Sequence, residues 1–267
     1  MEQRVNITLL SLFTLLCINL KAQIFNVDRE VKADSTYQPL SLIAGLNLSS
    51  DKQKKSVFDV SSSVELNKIF PNRYVLIGAL KNDAVFNGKD VIQNEGLAHL
   101  RYRDQDSRRF SWEGYLQYQW NGAWGMDYRY VAGNNFRMKF LEQRKSDLYL
   151  GSGIFYEWEK WNWSGVKEPQ QQPNRPIIQR TMFRLNQYLK YAIKLSDQVD
   201  FSAISYLQFP LKGNFFQPRW YTDANLFLGL GKKISFIIHW DHIFDGNRAV
   251  PIDKFYYTFS TGLQLNF

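Results

Sequence analysis

Five stretches of the chain place ionisable and hydrogen-bonding side chains on one parity of alternating positions, and together they carry both charge signs. They are Glu95, His99, Arg101 and Arg103; Arg109, Glu113, Tyr115, Gln117 and Gln119; Asp127, Arg129, Gly133, Asn135 and Arg137; Tyr149, Glu157 and Glu159; and Arg180, Arg184, Asn186, Tyr188 and Lys190. A spacing of two puts each group on one face of a strand, so neighbouring strands would build a continuous wall of mixed charge. Such a wall has two uses. Its charges can pair across strands, fill a narrow interior and fix register, or they can form a polar path whose Arg residues favour anions. Pairing is the commoner role. Arg129 is expected to sit beside Glu113 on one side and Glu157 on the other. Arg101, Arg109, Arg129, Arg137, Arg180 and Arg184 are the candidates for setting selectivity, with Glu113, Glu157 and Glu159 as counter-charges.

Catalytic constellations are sparse. The chain has three histidines, His99, His239 and His242. His239 and Asp241 share a parity and face inward, whereas His242 faces outward beside Trp240, a setting that fits an interfacial histidine better than a metal ligand. Hydrolysis of lipid would need a Ser–His pair supported by a third polar group, and no serine lies at a spacing that would bring it to His99. Glu157 and Glu159 share a face, but carboxylates among several Arg are neutralised rather than tuned for acid–base work. No helix is predicted, so no Gly-rich phosphate loop opens one. The expectation is a protein without enzymatic activity, bound metal or cofactor.

The elements that hold these side chains are strands. Read back from the end, Phe267, Leu265, Leu263, Thr261, Phe259, Tyr257 and Phe255 share one face, and Asn266, Gln264, Gly262, Ser260, Thr258 and Tyr256 the other. An apolar face opposed to a small polar one fits a strand between lipid and a wet lumen. Strands that close bacterial outer-membrane barrels end on an aromatic residue in this way, so Phe267 is the expected signal for the assembly machinery. The same alternation recurs in Leu40, Leu42, Ala44, Leu46 and Leu48, in Phe58, Val60, Val64 and Leu66, in Phe110, Trp112, Leu116, Tyr118 and Trp120, and in Ile234, Phe236, Ile238 and Trp240. About twelve strands are predicted, over 38–48, 57–69, 73–82, 91–103, 109–120, 124–139, 147–160, 178–194, 199–210, 220–231, 234–244 and 254–267. They make one all-β domain over 38–267, a transmembrane antiparallel up-and-down barrel.

With both termini in the periplasm, long external loops must alternate with short periplasmic turns. The external loops are expected at Ser49–Ser56, Asn82–Asp90, Asn121–Ala123, Trp161–Ile177, Leu211–Arg219 and Asp245–Asp253. The turns are expected at Pro71–Asn72, Asp104–Arg108, Leu141–Ser146, Ser196–Gln198 and Lys232–Lys233. Five of these six external loops are longer than every turn, and Asn121–Ala123 breaks the pattern. Trp161–Ile177 carries Pro169, Pro173, Pro176 and three consecutive Gln. It cannot be strand and is expected to be a mobile external loop. Twelve strands lie between the filled barrel of about eight and the open porin of about sixteen, which implies a narrow, partly occluded lumen.

Residues 1–22 read as a secretory signal peptide. Arg4 precedes a mostly apolar run from Val5 to Leu20, and Lys21-Ala22-Gln23 offers a cleavage site after Ala22. The run is too short for a retained transmembrane helix. Leu16 stands before Cys17 where a lipobox needs a small residue, so Cys17 is expected to leave with the signal. Residues 23–37 are then a short periplasmic segment. Aromatic residues make up 16% of the chain, suited to interfacial girdles. The formal charge of +8 is dispersed, without the basic stripe that nucleic-acid binding requires. A basic lumen or attraction to lipopolysaccharide is its natural use.

The segments Gly96-Leu-Ala-His-Leu-Arg-Tyr102, Trp112-Glu-Gly-Tyr-Leu-Gln-Tyr-Gln-Trp-Asn121, Arg129-Tyr-Val-Ala-Gly-Asn-Asn-Phe-Arg137 and Gly153-Ile-Phe-Tyr-Glu-Trp-Glu159 occur in this order. Together, and above all in the spacing of Arg129, Gly133 and Arg137, they resemble the salt-induced outer-membrane protein family, classed as domain of unknown function 481. The resemblance covers Gly96 to Trp161 and implies a compact bacterial outer-membrane barrel. It brings no substrate, cofactor or catalytic residue. The chain departs from the family where Asn134 and Asn135 follow Gly133 in place of an Ala-Gly-type pair.

The expectation is therefore a barrel in the outer membrane of a Gram-negative envelope, with a polar, net basic lumen that passes ions or small solutes passively. The alternative is a closed structural or accessory barrel whose external loops bind a protein partner or envelope component. Outer-membrane lipid, lipopolysaccharide and, during biogenesis, the assembly machinery are the expected partners.

Overall fold

Period-two alternation over more than ten residues, rich in aromatic and β-branched types, leaves a chain little choice but a long strand. The computed structural model describes residues 40–52, 56–70, 74–88, 90–104, 109–166, 177–231 and 234–265. Twelve strands form one antiparallel sheet in sequence order: β1 (Leu40–Lys52), β2 (Ser56–Ile69), β3 (Tyr74–Asn87), β4 (Asp90–Asp104), β5 (Phe110–Asn121), β6 (Met126–Gln143), β7 (Ser146–Trp161), β8 (Ile178–Lys194), β9 (Val199–Pro210), β10 (Arg219–Gly229), β11 (Ile234–Asp245) and β12 (Phe255–Leu265). Eleven pairings join each strand to the next, and no β1–β12 pairing is among the described contacts. No α-helix occurs among the described residues. The signal-peptide region, residues 23–37 and Phe267 lie outside them.

The sheet is inside out relative to a water-soluble protein. On one face Phe136, Leu116 and Leu80 are 67%, 59% and 58% exposed, with Phe110, Phe183, Phe259 and Tyr257 similarly bare. On the other face Glu113, Glu157, Glu159 and Arg184 are wholly buried. Apolar exposure on this scale marks a surface that meets something other than water.

The sheet curls around its charged face. The Tyr188 hydroxyl on β8 donates to Glu113 Oε2 on β5 at 3.0 Å, and Arg219 on β10 reaches Glu157 on β7 at 3.1 Å. Trp124, in the turn after β5, packs on Tyr256 of β12 with ring centroids 4.7 Å apart. That turn is a single 3₁₀ turn, Gly122–Trp124, with Asn121 Oδ1 accepting from the Trp124 N–H and Gly125 left-handed at φ 77°. It is the connection whose shortness broke the expected loop pattern, and its tryptophan reaches across the curled sheet to β12.

Strand lengths differ from expectation at the loop-bearing end. The segment expected as the loop Asn82–Asp90 is mostly ladder, because β3 runs on to Asn87 and β4 begins at Asp90 around Gly88 at φ 67°. A bulge between Val85 and Phe86 absorbs the mismatch. β1 likewise runs to Lys52, past the expected start of a loop at Ser49. The length contrast therefore holds only for the connections after β7, β9 and β11. The described part of the Trp161–Ile177 loop is anchored: Asn162 N–H donates to Gly125 O at 2.7 Å, and Trp163 and Val166 pack on the mouth cluster.

Candidate functional site

The inner face carries two layers of charge, one toward the mouth and one toward the short turns. In the mouth layer, β7 places Glu157 and Glu159 inward because Trp158 between them faces out. Glu159 lies directly between Arg129 of β6 and Arg180 of β8 in register. Glu157 meets Arg129 and Arg184 on the diagonals, the geometry of same-face neighbours in adjacent strands. Arg129 donates through Nε and Nη2 to Glu157 Oε2 at 2.9 and 2.6 Å and stands 3.2 Å from Glu159 Oε1. Arg180 Nε donates to Glu159 Oε2 at 2.6 Å, and Arg184 Nε donates to Glu157 Oε1. Arg219 crosses from β10 to both glutamates at 3.1 and 3.4 Å while its Nε donates to Asp245 at 2.9 Å. Taking this many ions out of water costs several kcal/mol each unless they are mutually paired. Here the pairing runs across the whole interior.

Above this layer sits an apolar cap. Met126, Trp161, Val250 and Ile252 are buried together, with Trp124, Trp163 and Ile178 packed on them. Val250 and Ile252 come from the β11–β12 connection, which turns inward. The space left among Gln119, Arg129, Glu159, Arg219 and this connection is about 20 Å³, room for about one water.

The turn-side layer centres on Glu113. Arg103 Nε donates to its Oε1 at 2.6 Å, Tyr188 closes on Oε2 at 3.0 Å, and Arg137 Nη1 stands 4.0 Å away with its guanidinium 3.6 Å over the Tyr149 ring. Glycines make room for these rings. A Cβ on Gly151 would lie 1.9 Å from the Tyr188 ring, and one on Gly133 would lie 2.7 Å from the Tyr115 hydroxyl. This accounts for the glycine between Arg129 and Arg137.

Of the candidates read from the sequence, Arg129, Glu157, Glu159, Arg180 and Arg184 come together in the mouth layer, and Glu113 and Arg137 in the turn-side layer. Arg101 is buried with its guanidinium 5.7 Å over Tyr115. Arg109 is not part of either layer: it is exposed at the end of the β4–β5 turn. The expected Arg129–Glu113 neighbourhood is also corrected, since register sets Arg129 opposite Gln119 and Glu113 opposite Asn135. Arg219 and Asp245 were missed because both fell at loop boundaries. Extending the alternation of Tyr221 and Asp223 back by one step would have turned Arg219 inward.

On the β10–β11 wall, His239 contacts Asn225 Oδ1 at 2.9 Å and Asp241 Oδ2 at 3.1 Å. His242 sits among Trp220, Trp240 and Phe255 on the outer face. Its outward direction beside Trp240 is the one expected of it.

Residues 80–263 match the family model described as "Protein of unknown function, DUF481". The chain belongs to this family. The matched span runs from β3 to β12 and includes every residue of both charge layers, so the layers lie inside the family domain rather than in an appendage. No curated protein matches the chain. A solved structure described as "NanC porin structure in rhombohedral crystal form" is similar at 10% identity, covering 85% of this chain and 99% of that one with a TM-score of 0.48.

Proposed function

We propose that this DUF481 protein is a bacterial outer-membrane β-barrel, closed by β1 against β12, with both termini in the periplasm and a constricted, charge-lined lumen that passes small ions or solutes. One observation carries the reading: the sheet exposes its aliphatic and aromatic side chains and buries its arginines and glutamates. Only a solvent that is apolar outside and a lumen that is polar inside reward that distribution. Strand length agrees. The shortest strands, β10 and β12, have 11 residues, and about 9–11 tilted residues cross a bilayer. Arg129, Arg180, Arg184 and Arg219 form the constriction and favour anions.

A second reading is favoured by a different observation. Both carboxylates of the mouth layer are buried and ion-paired, and the β11–β12 connection caps it, as expected of a closed accessory barrel that works through its outward loops. Refolded mature protein in planar lipid bilayers separates the two. Small, reproducible steps with anion preference are expected of the constricted channel. A folded barrel that stays silent at all voltages would remove permeation and leave the closed barrel.

A further inference from the structure

The carboxylates of the mouth layer are saturated before its guanidiniums are. Both oxygens of Glu157 and both of Glu159 already accept from, or lie against, arginine. Arg180 Nη2 and Arg184 Nη1 are nonetheless buried and reach no acceptor. Among the groups joined by these ion pairs, four arginines (Arg129, Arg180, Arg184 and Arg219) face three carboxylates (Glu157, Glu159 and Asp245), and Arg248, Lys254 and Asp253 beside them add no net negative charge. The two under-used guanidiniums converge on one neutral atom. Asn247 Oδ1, from the β11–β12 connection, accepts from Arg180 Nη1 at 3.1 Å and stands 3.5 Å from Arg184 Nη2. A carbonyl oxygen offers this pair no charge and too few lone pairs. A carboxylate offers both, in the planar geometry that guanidinium forks match.

The geometry points to a binding site for a small carboxylate monoanion between Arg180 and Arg184, occupied in the resting protein by the Asn247 side chain. Entry is from the mouth, where the Arg180 side chain keeps 17% of its surface accessible whereas Arg184 keeps none. Binding displaces Asn247 outward, supplies the missing negative charge and engages the two orphaned N–H groups. The site requires only the folded side chains, so it exists whether or not the lumen conducts.

Acetate is the probe, titrated against chloride at constant ionic strength into the refolded protein in micelles and followed by tryptophan fluorescence. Trp161 reports the layer because its Nε1 donates to Glu159. Wild type is expected to saturate. Because Arg184→Gln endangers the fold, the test rests on Asn247. Asn247→Asp installs a resident carboxylate and should weaken acetate by about tenfold or more while raising the unfolding midpoint. Asn247→Ala vacates the site and should tighten acetate. A wild-type titration without saturation, or an Asn247→Asp protein that binds acetate like wild type, overturns the site. Saturation by phosphate but not by acetate would overturn the assignment to a carboxylate.

Discussion

Glu157 and Glu113 are both wholly buried carboxylates on the same inner face, yet their surroundings follow different plans. Glu157 takes arginines from β6, β8 and β10, so the mouth layer bridges the interior by charge alone. Glu113 takes Arg103 and the Tyr188 hydroxyl, while Arg137 beside it rests on an aromatic ring. The turn-side layer bridges by shape: Tyr188 reaches from β8 to β5 because Gly151 leaves the floor under its ring. A charge bridge fails when one carboxylate is neutralised. A shape bridge tolerates neutralisation but not added volume.

Glu157→Gln tests the first half of that contrast and should have the largest effect. It leaves Arg129, Arg184 and Arg219 facing an amide, and breaking a buried pair by removing one partner costs about 3–5 kcal/mol. Urea unfolding of the refolded barrel in detergent would register the loss as a lower midpoint. A change below about 1 kcal/mol, the worth of an ordinary exposed pair, would mean that the mouth layer is wetter than its burial implies. Glu113→Gln should cost less, about 1–3 kcal/mol, because its remaining carbonyl still accepts from Arg103 or Tyr188. Equal losses in the two variants would erase the distinction between the layers.

Gly151→Ala probes the shape bridge directly. The new methyl would come 1.9 Å from the Tyr188 ring and must drive it off Glu113, at about 1–3 kcal/mol for overpacking. The informative measurement is the double-mutant cycle with Tyr188→Ala. If the ring is what the methyl strikes, Gly151→Ala should cost little once Tyr188 is gone, giving a coupling of about 0.5–3 kcal/mol. Additive losses would place the strain in the backbone instead.

Most of the fold was legible because a strand between an apolar and a polar phase writes itself as alternation. From β7 to β9 the expected bounds fall within a residue or so of the observed strands, and the parity of Glu157, Glu159 and Arg184 was right. What did not follow from parity was partnership. The β5–β6 register shifts between Gln119 and Asn121, and the β6–β7 register shifts between Met126 and Tyr128. In the resulting register Arg129 stands opposite Gln119 on the β5 side, away from Glu113, and on the β7 side opposite Glu159 with the expected Glu157 on the diagonal. Contacts across the interior, such as Arg219 with Glu157, join strands that are not neighbours, so no pairwise alternation could disclose them. The inward turn of the β11–β12 connection was hidden for a related reason. Val250 and Ile252 look like ordinary loop residues until Met126 and Trp161 are known to wait beneath them.

The smallest effect should come from a pair outside either layer. Lys139 Nζ lies 2.7 Å from Glu142 Oε1, a shorter contact than several in the mouth layer, but the glutamate side chain is 66% exposed. Distance alone would rank it among the strongest interactions in the molecule. Water and salt screen it, and ordering two long side chains offsets what attraction remains, so Lys139→Ala should cost no more than about 0.5 kcal/mol. The same reasoning fixes its salt response. Raising ionic strength from about 0.1 M to about 1 M shortens the screening length from about 10 Å to about 3 Å and should remove even that difference between Lys139→Ala and wild type. The Glu157→Gln deficit should persist, because its charges are shielded from solvent by protein. If high salt reduced both deficits alike, the burial of the mouth layer would not be what separates it from the surface.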